Sequence, residues 1–151
     1  MLAGCGGAGV KPAQLVHGSG YRFSAPADWA VVRSGRSVQA SKGLRLVSVT
    51  RYPLLRAYRP ALWLRVVPEL DRAAAQLAEQ QSGQVGDSRT VTVAGQNARR
   101  YDIDYERGGQ ALVERLAFVL RGKTEYLLLC RYDRGGDTAA CDRLVATFTV
   151  G

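Results

Sequence analysis

From residue 89 to residue 132 the chain runs through four stretches of alternating apolar and polar residues, and a short glycine-bearing link divides each from the next. Residues 89–94 end at Gly95-Gln96, residues 98–106 at Gly108-Gly109, residues 110–121 at Gly122-Lys123, and residues 124–132 complete the set. A period of two sends successive side chains to opposite faces of a strand, and links this short join antiparallel neighbours. The segment predicts an antiparallel meander. Its third strand is apolar at both parities: Leu112, Leu116, Phe118 and Leu120 fall on one side, Ala111, Val113, Ala117 and Val119 on the other. Such a strand is central and needs cover on both faces.

Upstream, Tyr21, Phe23 and Ala25 share one side of a short strand that Pro26 breaks ahead of Trp29. Residues 44–52 again carry apolar groups at both parities. Pro68 opens a helical pattern in which Leu70, Ala73, Ala74, Leu77 and Gln81 recur at three and four. Glu69 and Asp71 lie in its first turn, and Gly83 stands just past its end. Residues 60–67 suit a short helical turn, because Leu62, Trp63 and Val66 share a side. After Gly135-Gly136 a last helix, capped by Asp137 or Thr138, turns Cys141, Leu144, Val145 and Phe148 toward the sheet. One domain of α+β class accounts for these elements: a central antiparallel sheet that needs cover on both faces. It occupies residues 21–151, after a tether over residues 1–20.

Several residues carry a resemblance to known proteins. Tyr-Arg-Phe-Ser-Ala-Pro-Ala-Asp-Trp from Tyr21 to Trp29, the Val93-Ala94-Gly95 turn into Ala98-Arg99-Arg100-Tyr101, the Gly122 hairpin with Glu125 and Tyr126, and the closing helix into Thr147-Phe148 are similar to the PsbP-like fold family. That family includes small bacterial lipoproteins and Ran-GTPase release factors. The resemblance implies an α/β/α sandwich and a role in binding or assembly, with no shared active site to carry over.

Leu2-Ala3-Gly4-Cys5 resembles a bacterial lipobox, whose cysteine receives the lipid, and Gly6-Gly7-Ala8-Gly9 reads as the flexible tether behind it. A signal peptide of this kind also carries a basic and an apolar stretch ahead of the box. The expected location is extracytoplasmic, lipid-anchored at Cys5 to the bacterial cell membrane. With Cys5 given to lipid, Cys130 and Cys141 remain, and an oxidising compartment favours a disulfide between them.

The formal net charge is +8, and its placement says more than its size. Between Trp29 and Pro68 there is no Asp or Glu, while eight cations occur there: Arg33, Arg36, Lys42, Arg45, Arg51, Arg56, Arg59 and Arg65. Tyr52, Tyr58 and Trp63 are interleaved with the later ones. Arginine among aromatics suits anionic or interfacial partners. Arg45, Arg51, Tyr52, Arg56, Tyr58, Arg59, Trp63 and Arg65 are therefore the candidate docking residues for anionic lipid headgroups or an acidic envelope protein.

Catalytic sets are missing from the pattern. His17 is the one histidine and lies in the tether, which leaves no base for a serine or cysteine nucleophile. There is no CxxC, no HExxH, no phosphate-binding glycine loop and no expected cofactor or metal. Asp102 and Asp104, about 7 Å apart on one face of a strand, could form a carboxylate pair; Arg100 on the same face favours an ion-pair ladder instead. The expectation is a non-enzymatic, monomeric binding or assembly module that does not bind nucleic acid. The alternatives are a carrier of a small apolar or lipidic ligand held between sheet and helix, and a hydrolase using the two aspartates.

Overall fold

The computed structural model describes residues 12–151. The anchor candidate Cys5 lies outside the described residues, as does most of the expected tether. Chain order begins with β1 (Ala13–Gly18) and β2 (Tyr21–Pro26), an antiparallel pair that β9 (Thr149–Val150) extends into a three-stranded sheet of order β1-β2-β9. A six-stranded antiparallel sheet holds β3 (Ala30–Ser34), β4 (Ser37–Lys42), β5 (Arg45–Tyr58), β6 (Gln84–Val93), β7 (Gln96–Arg107) and β8 (Gln110–Asp133), in the order β3-β4-β5-β8-β7-β6. Two helices accompany them: α1 (Trp63–Gln80), entered through a 3-10 turn at Pro60–Leu62, and α2 (Ala139–Thr147).

β8 doubles back on itself. The backbone N–H of Arg134 donates to the Ala111 carbonyl at 3.1 Å, and the Gln110 amide reaches Asp133 at 2.5 Å, so the two ends of the strand are neighbours. A straight run of this length would hold them roughly 80 Å apart at ~3.3 Å per residue. The reversal falls at Gly122, whose φ is +56°. Its first arm pairs with β7 (Ala98 to Val119, Arg107 to Gln110) and its second with β5 (Leu46 to Arg131, Pro53 to Thr124).

Parity along these strands builds two cores. Ala98, Ala117, Val119, Tyr126, Leu128 and Cys130 join Phe23, Val47, Val49, Leu144 and Phe148 on one face. Tyr101, Ile103, Tyr105, Leu112, Leu116, Phe118 and Leu127 join Leu70, Ala74 and Ala78 of α1 on the other. Adjacent strand residues point to opposite faces, which is why one strand feeds both.

The covering layers correct the expected architecture. An α/β/α sandwich with helices on both faces does not form: 61% of the described residues are strand and 21% helix, arranged as two antiparallel sheets of three and six strands. The reason lies in residues 13–18 and 30–42, which pair as strands. β1 and β2 supply Val16, Tyr21, Phe23 and Ala25 to the core opposite α1, so a small second sheet stands where a helical layer was expected, with the short α2 beside it.

α1 also starts five residues before Pro68, which lies inside the helix. Trp63, Val66, Leu70, Ala73 and Leu77 make one continuous stripe at three-and-four spacing against the core. Burial of that stripe outweighs the hydrogen bond that proline withholds from the Leu64 carbonyl, because Leu64 is 85% exposed and water replaces the donor. Asp71 fastens the helix to β7, accepting hydrogen bonds from the Tyr101 hydroxyl and, at 3.2 Å, from Arg99 Nε. On the opposite face Cys130 and Cys141 form a disulfide that ties β8 to α2.

Candidate functional site

β5 carries the centre of the acid-free segment, and its neighbours change along its length. Residues 45–50 pair with β4, and residues 46–53 with β8. Beyond Pro53, which has no N–H to donate, the ladder slips before Tyr58 meets Gly122. The stretch between is an irregularity in the ladder, and the 3-10 turn follows Tyr58 closely.

This path sorts the candidate residues into four places. Arg45, at the start, is used up in the fold: Nη2 and Nε both donate to Asp133 Oδ2, at 2.9 and 3.2 Å. Tyr58 and Trp63 turn inward, half-buried against the α1 core, and burial raises the Tyr58 phenol above its ordinary range. Arg56, Arg59 and Arg65 remain exposed with no ion pair among the described residues. Two residues of the same segment that the charge pattern did not single out are also exposed: Leu55 is 102% exposed and Leu64 85%. The exposed groups of this segment after Pro53 are thus basic and aliphatic, while the rings of Tyr58 and Trp63 pack against the α1-side core.

Arg51 and Tyr52 belong to a separate cleft of about 420 Å³, lined by Ser19, Tyr21, Gly35, Arg36, Val38, Arg51, Tyr52, Pro53, Lys123 and Thr124. Turns converge to form it. Ser34 pairs with Ser37, leaving Gly35-Arg36 as a two-residue tip with Gly35 at φ +56°; Gly122-Lys123 repeats the order with Gly122 at +56°. A tip that needs positive φ at its first position takes glycine there, and the cation follows it. Arg51 is held in place: its N–H donates to the Arg36 carbonyl at 3.1 Å, its Nη1 to the Ser19 carbonyl at 2.7 Å, and its guanidinium lies 5.9 Å from the centre of the Tyr126 ring. Tyr21 closes the floor by donating its hydroxyl to the Val49 carbonyl at 3.2 Å; burial pushes its phenol up, against the opposing charges of Arg51 and Arg33.

The carboxylate pair of β7 is bound into ion pairs. Arg115 Nε donates to Asp102 at 2.9 Å and Arg100 Nη2 to the same carboxylate at 3.4 Å, while Arg134 lies 3.6 Å from Asp104. Burial raises the Asp102 carboxyl, but Arg115 and Arg100 outweigh it and hold it below the ordinary carboxylate range. A carboxylate held charged this way is a poor general acid. A second cluster, buried in the α1-side core, was not legible in the sequence: Glu114 accepts from the Tyr105 hydroxyl at 3.1 Å and from Arg131 at 3.5 Å, with Tyr105 pushed up to about 12 chiefly by burial. His17 is exposed on β1, where its carbonyl accepts from Arg33. Among the described residues no cluster of three or more His, Cys, Asp or Glu could hold a metal ion, and no helix is long and apolar enough to cross a membrane.

Neither a protein-family model nor a curated protein matches the chain. Solved structures do. A protein from Bacteroides thetaiotaomicron is similar with a TM-score of 0.63 at 11% identity, over 93% of this chain and 48% of that one, so the chain spans about half its length. LpqN of Mycobacterium tuberculosis, described as involved in cell envelope biogenesis, is similar with a TM-score of 0.50 at 12% identity, over 92% and 90% of the two chains. At such identities the likeness is one of fold, and it places this chain's architecture among bacterial proteins that include one involved in cell envelope biogenesis.

Proposed function

We propose that this chain is a non-enzymatic binding or assembly module of the bacterial cell envelope, of PsbP-like kind, tethered outside the cytoplasm by lipid on Cys5 and docking on anionic lipid headgroups. One observation carries the docking: Leu55 and Leu64 are exposed on the same acid-free stretch as Arg56, Arg59 and Arg65, and none of the three arginines has an ion-pair partner among the described residues. Leucines with arginines suit a bilayer interface, since the aliphatic groups enter the acyl boundary while the guanidinium groups meet phosphates. An acidic protein would satisfy the arginines but has less use for isolated leucines. The Cys130–Cys141 disulfide supports an oxidising compartment, and the cell-envelope role of LpqN, a neighbour in fold, is in keeping with the address.

At about 1 kcal/mol per cation near an anionic surface, three arginines contribute roughly 3 kcal/mol, a partition difference on the order of 100-fold. The test is co-sedimentation of the unacylated chain with phosphatidylglycerol-containing vesicles. The R56S/R59S/R65S variant is expected to lose nearly all binding, and the parent is expected to bind less as salt is raised. Equal sedimentation of variant and parent overturns the docking.

A further inference from the structure

Most arginines outside the acid-free segment are matched to carboxylates. Arg89 meets Asp87, Arg99 meets Asp71, Arg100 and Arg115 meet Asp102, Arg131 meets Glu114, and Arg134 meets Asp104. The cleft beside β5 breaks that habit. Arg36, Arg51 and Lys123 come to it from three different elements, its lining contains no Asp or Glu, and none of the three cations makes an ion pair among the described residues. Like charges gathered into one concavity repel one another, and a bound anion relieves the repulsion.

The donors are also prepared for one. Arg51 has five N–H groups, and Nη1 to Ser19 is the only side-chain hydrogen bond it makes among the described residues. Its cation–π contact with Tyr126 and its bond to Ser19 hold the guanidinium before any ligand arrives, so less rotamer freedom is left to lose. Ser19 and Thr124 add hydroxyls, and Tyr52, 40% exposed, offers an aromatic wall. A cleft of about 420 Å³ is larger than a bare oxyanion needs and lies at the small end of organic ligand sites. Planar guanidinium beside a point-charge ammonium suits the three acceptor oxygens of a phosphate.

We propose that the cleft formed by Arg36, Arg51 and Lys123 is a binding site for a phosphate monoester on a small organic body, either a free ester or the headgroup of a lipid. It is distinct from the Leu55–Leu64 surface, and neither requires the other.

The test follows amide resonances of the 15N-labelled full chain during titration with glycerol 3-phosphate, with glycerol as the uncharged control, and with phosphatidic acid in bicelles. Saturable shifts at Gly35, Arg51 and Thr124 with glycerol 3-phosphate are expected if the ester is free; shifts with phosphatidic acid alone assign the headgroup. In either case the R36Q/K123Q variant, altered at two exposed hairpin tips where folding is not at stake, is expected to bind at least about ten-fold more weakly. R56S/R59S/R65S is expected to keep glycerol 3-phosphate binding, which separates failure of this site from failure of the docking surface. No saturable shift with either probe up to about 10 mM, or shifts equal in parent and R36Q/K123Q, overturns the proposal.

Discussion

Breaking the bridge between β8 and α2 is the perturbation whose magnitude follows most directly from the fold. Cys130 and Cys141 are separated by 11 positions in sequence and are each 2% exposed, in the core that also holds Leu144 and Phe148. Closing a loop of about a dozen residues removes roughly 9 to 10 cal/mol/K from the unfolded chain, about 3 kcal/mol at 25 °C. With a urea dependence near 2 kcal/mol per molar for a domain of this size, reduction or the C130A/C141A change is expected to lower the unfolding midpoint by about 1.5 M. Alanine is the suitable replacement, because serine would bury a hydroxyl in an apolar core. Far-UV circular dichroism during urea titration, with and without reductant, reads the effect. The starting spectrum is expected to change little, since most strand pairing lies outside the closed loop. A midpoint that moves by less than about 0.3 M would refute the reasoning, and α2 would then be held by the apolar packing of Ala140, Leu144 and Val145.

Other expectations come from single positions. Ala94 adopts φ +50° in the turn between β6 and β7, a region that costs a residue with a Cβ about 1 to 2 kcal/mol, so Ala94→Gly is expected to stabilise the domain by roughly 0.5 to 1 kcal/mol once the extra freedom of unfolded glycine is subtracted. A lower urea midpoint for that variant would contradict the turn geometry. Asp102 has a folded-state pKa depressed from 3.8, so its stabilisation is present above that value and is lost as pH falls through the lower folded one. Stability measured from pH 5 down to pH 2 is expected to fall more steeply for the parent than for Asp102→Asn, and parallel profiles would sink the assignment.

Legibility in the sequence followed the strength of each local pattern. Residues 89–132 could be read because their strands are apolar at one parity or, in the central arm, at both, and their turns require positive φ, a demand only a few residue types meet. β1 and β3 escaped because β1 buries a single residue, Val16, and β3 buries none, so neither shows the alternation that marks a strand. Pro68 misled the helix start, although the stripe from Trp63 through Val66 to Leu70 was already present at helical spacing. That same stripe explains why Trp63 faces the core instead of a partner. The exposure of Leu55 was beyond reach, since it depends on the slip after Pro53, a product of strand pairing. So was the cleft: Arg36, Arg51 and Lys123 are brought together by three separate reversals of the chain, and no window along the sequence contains them.

Brominated-lipid quenching of Leu55→Trp tests the docking surface most directly. Position 55 is fully exposed, so the indole adds a reporter without disturbing the core, and its emission is isolated by difference from the parent. An interfacial surface sinks its apolar residues about 5 to 10 Å into the headgroup and acyl boundary, and the added emission is expected to be strongly quenched in phosphatidylglycerol-containing vesicles and untouched in zwitterionic ones. Emission that bromine leaves unchanged in both would contradict the account.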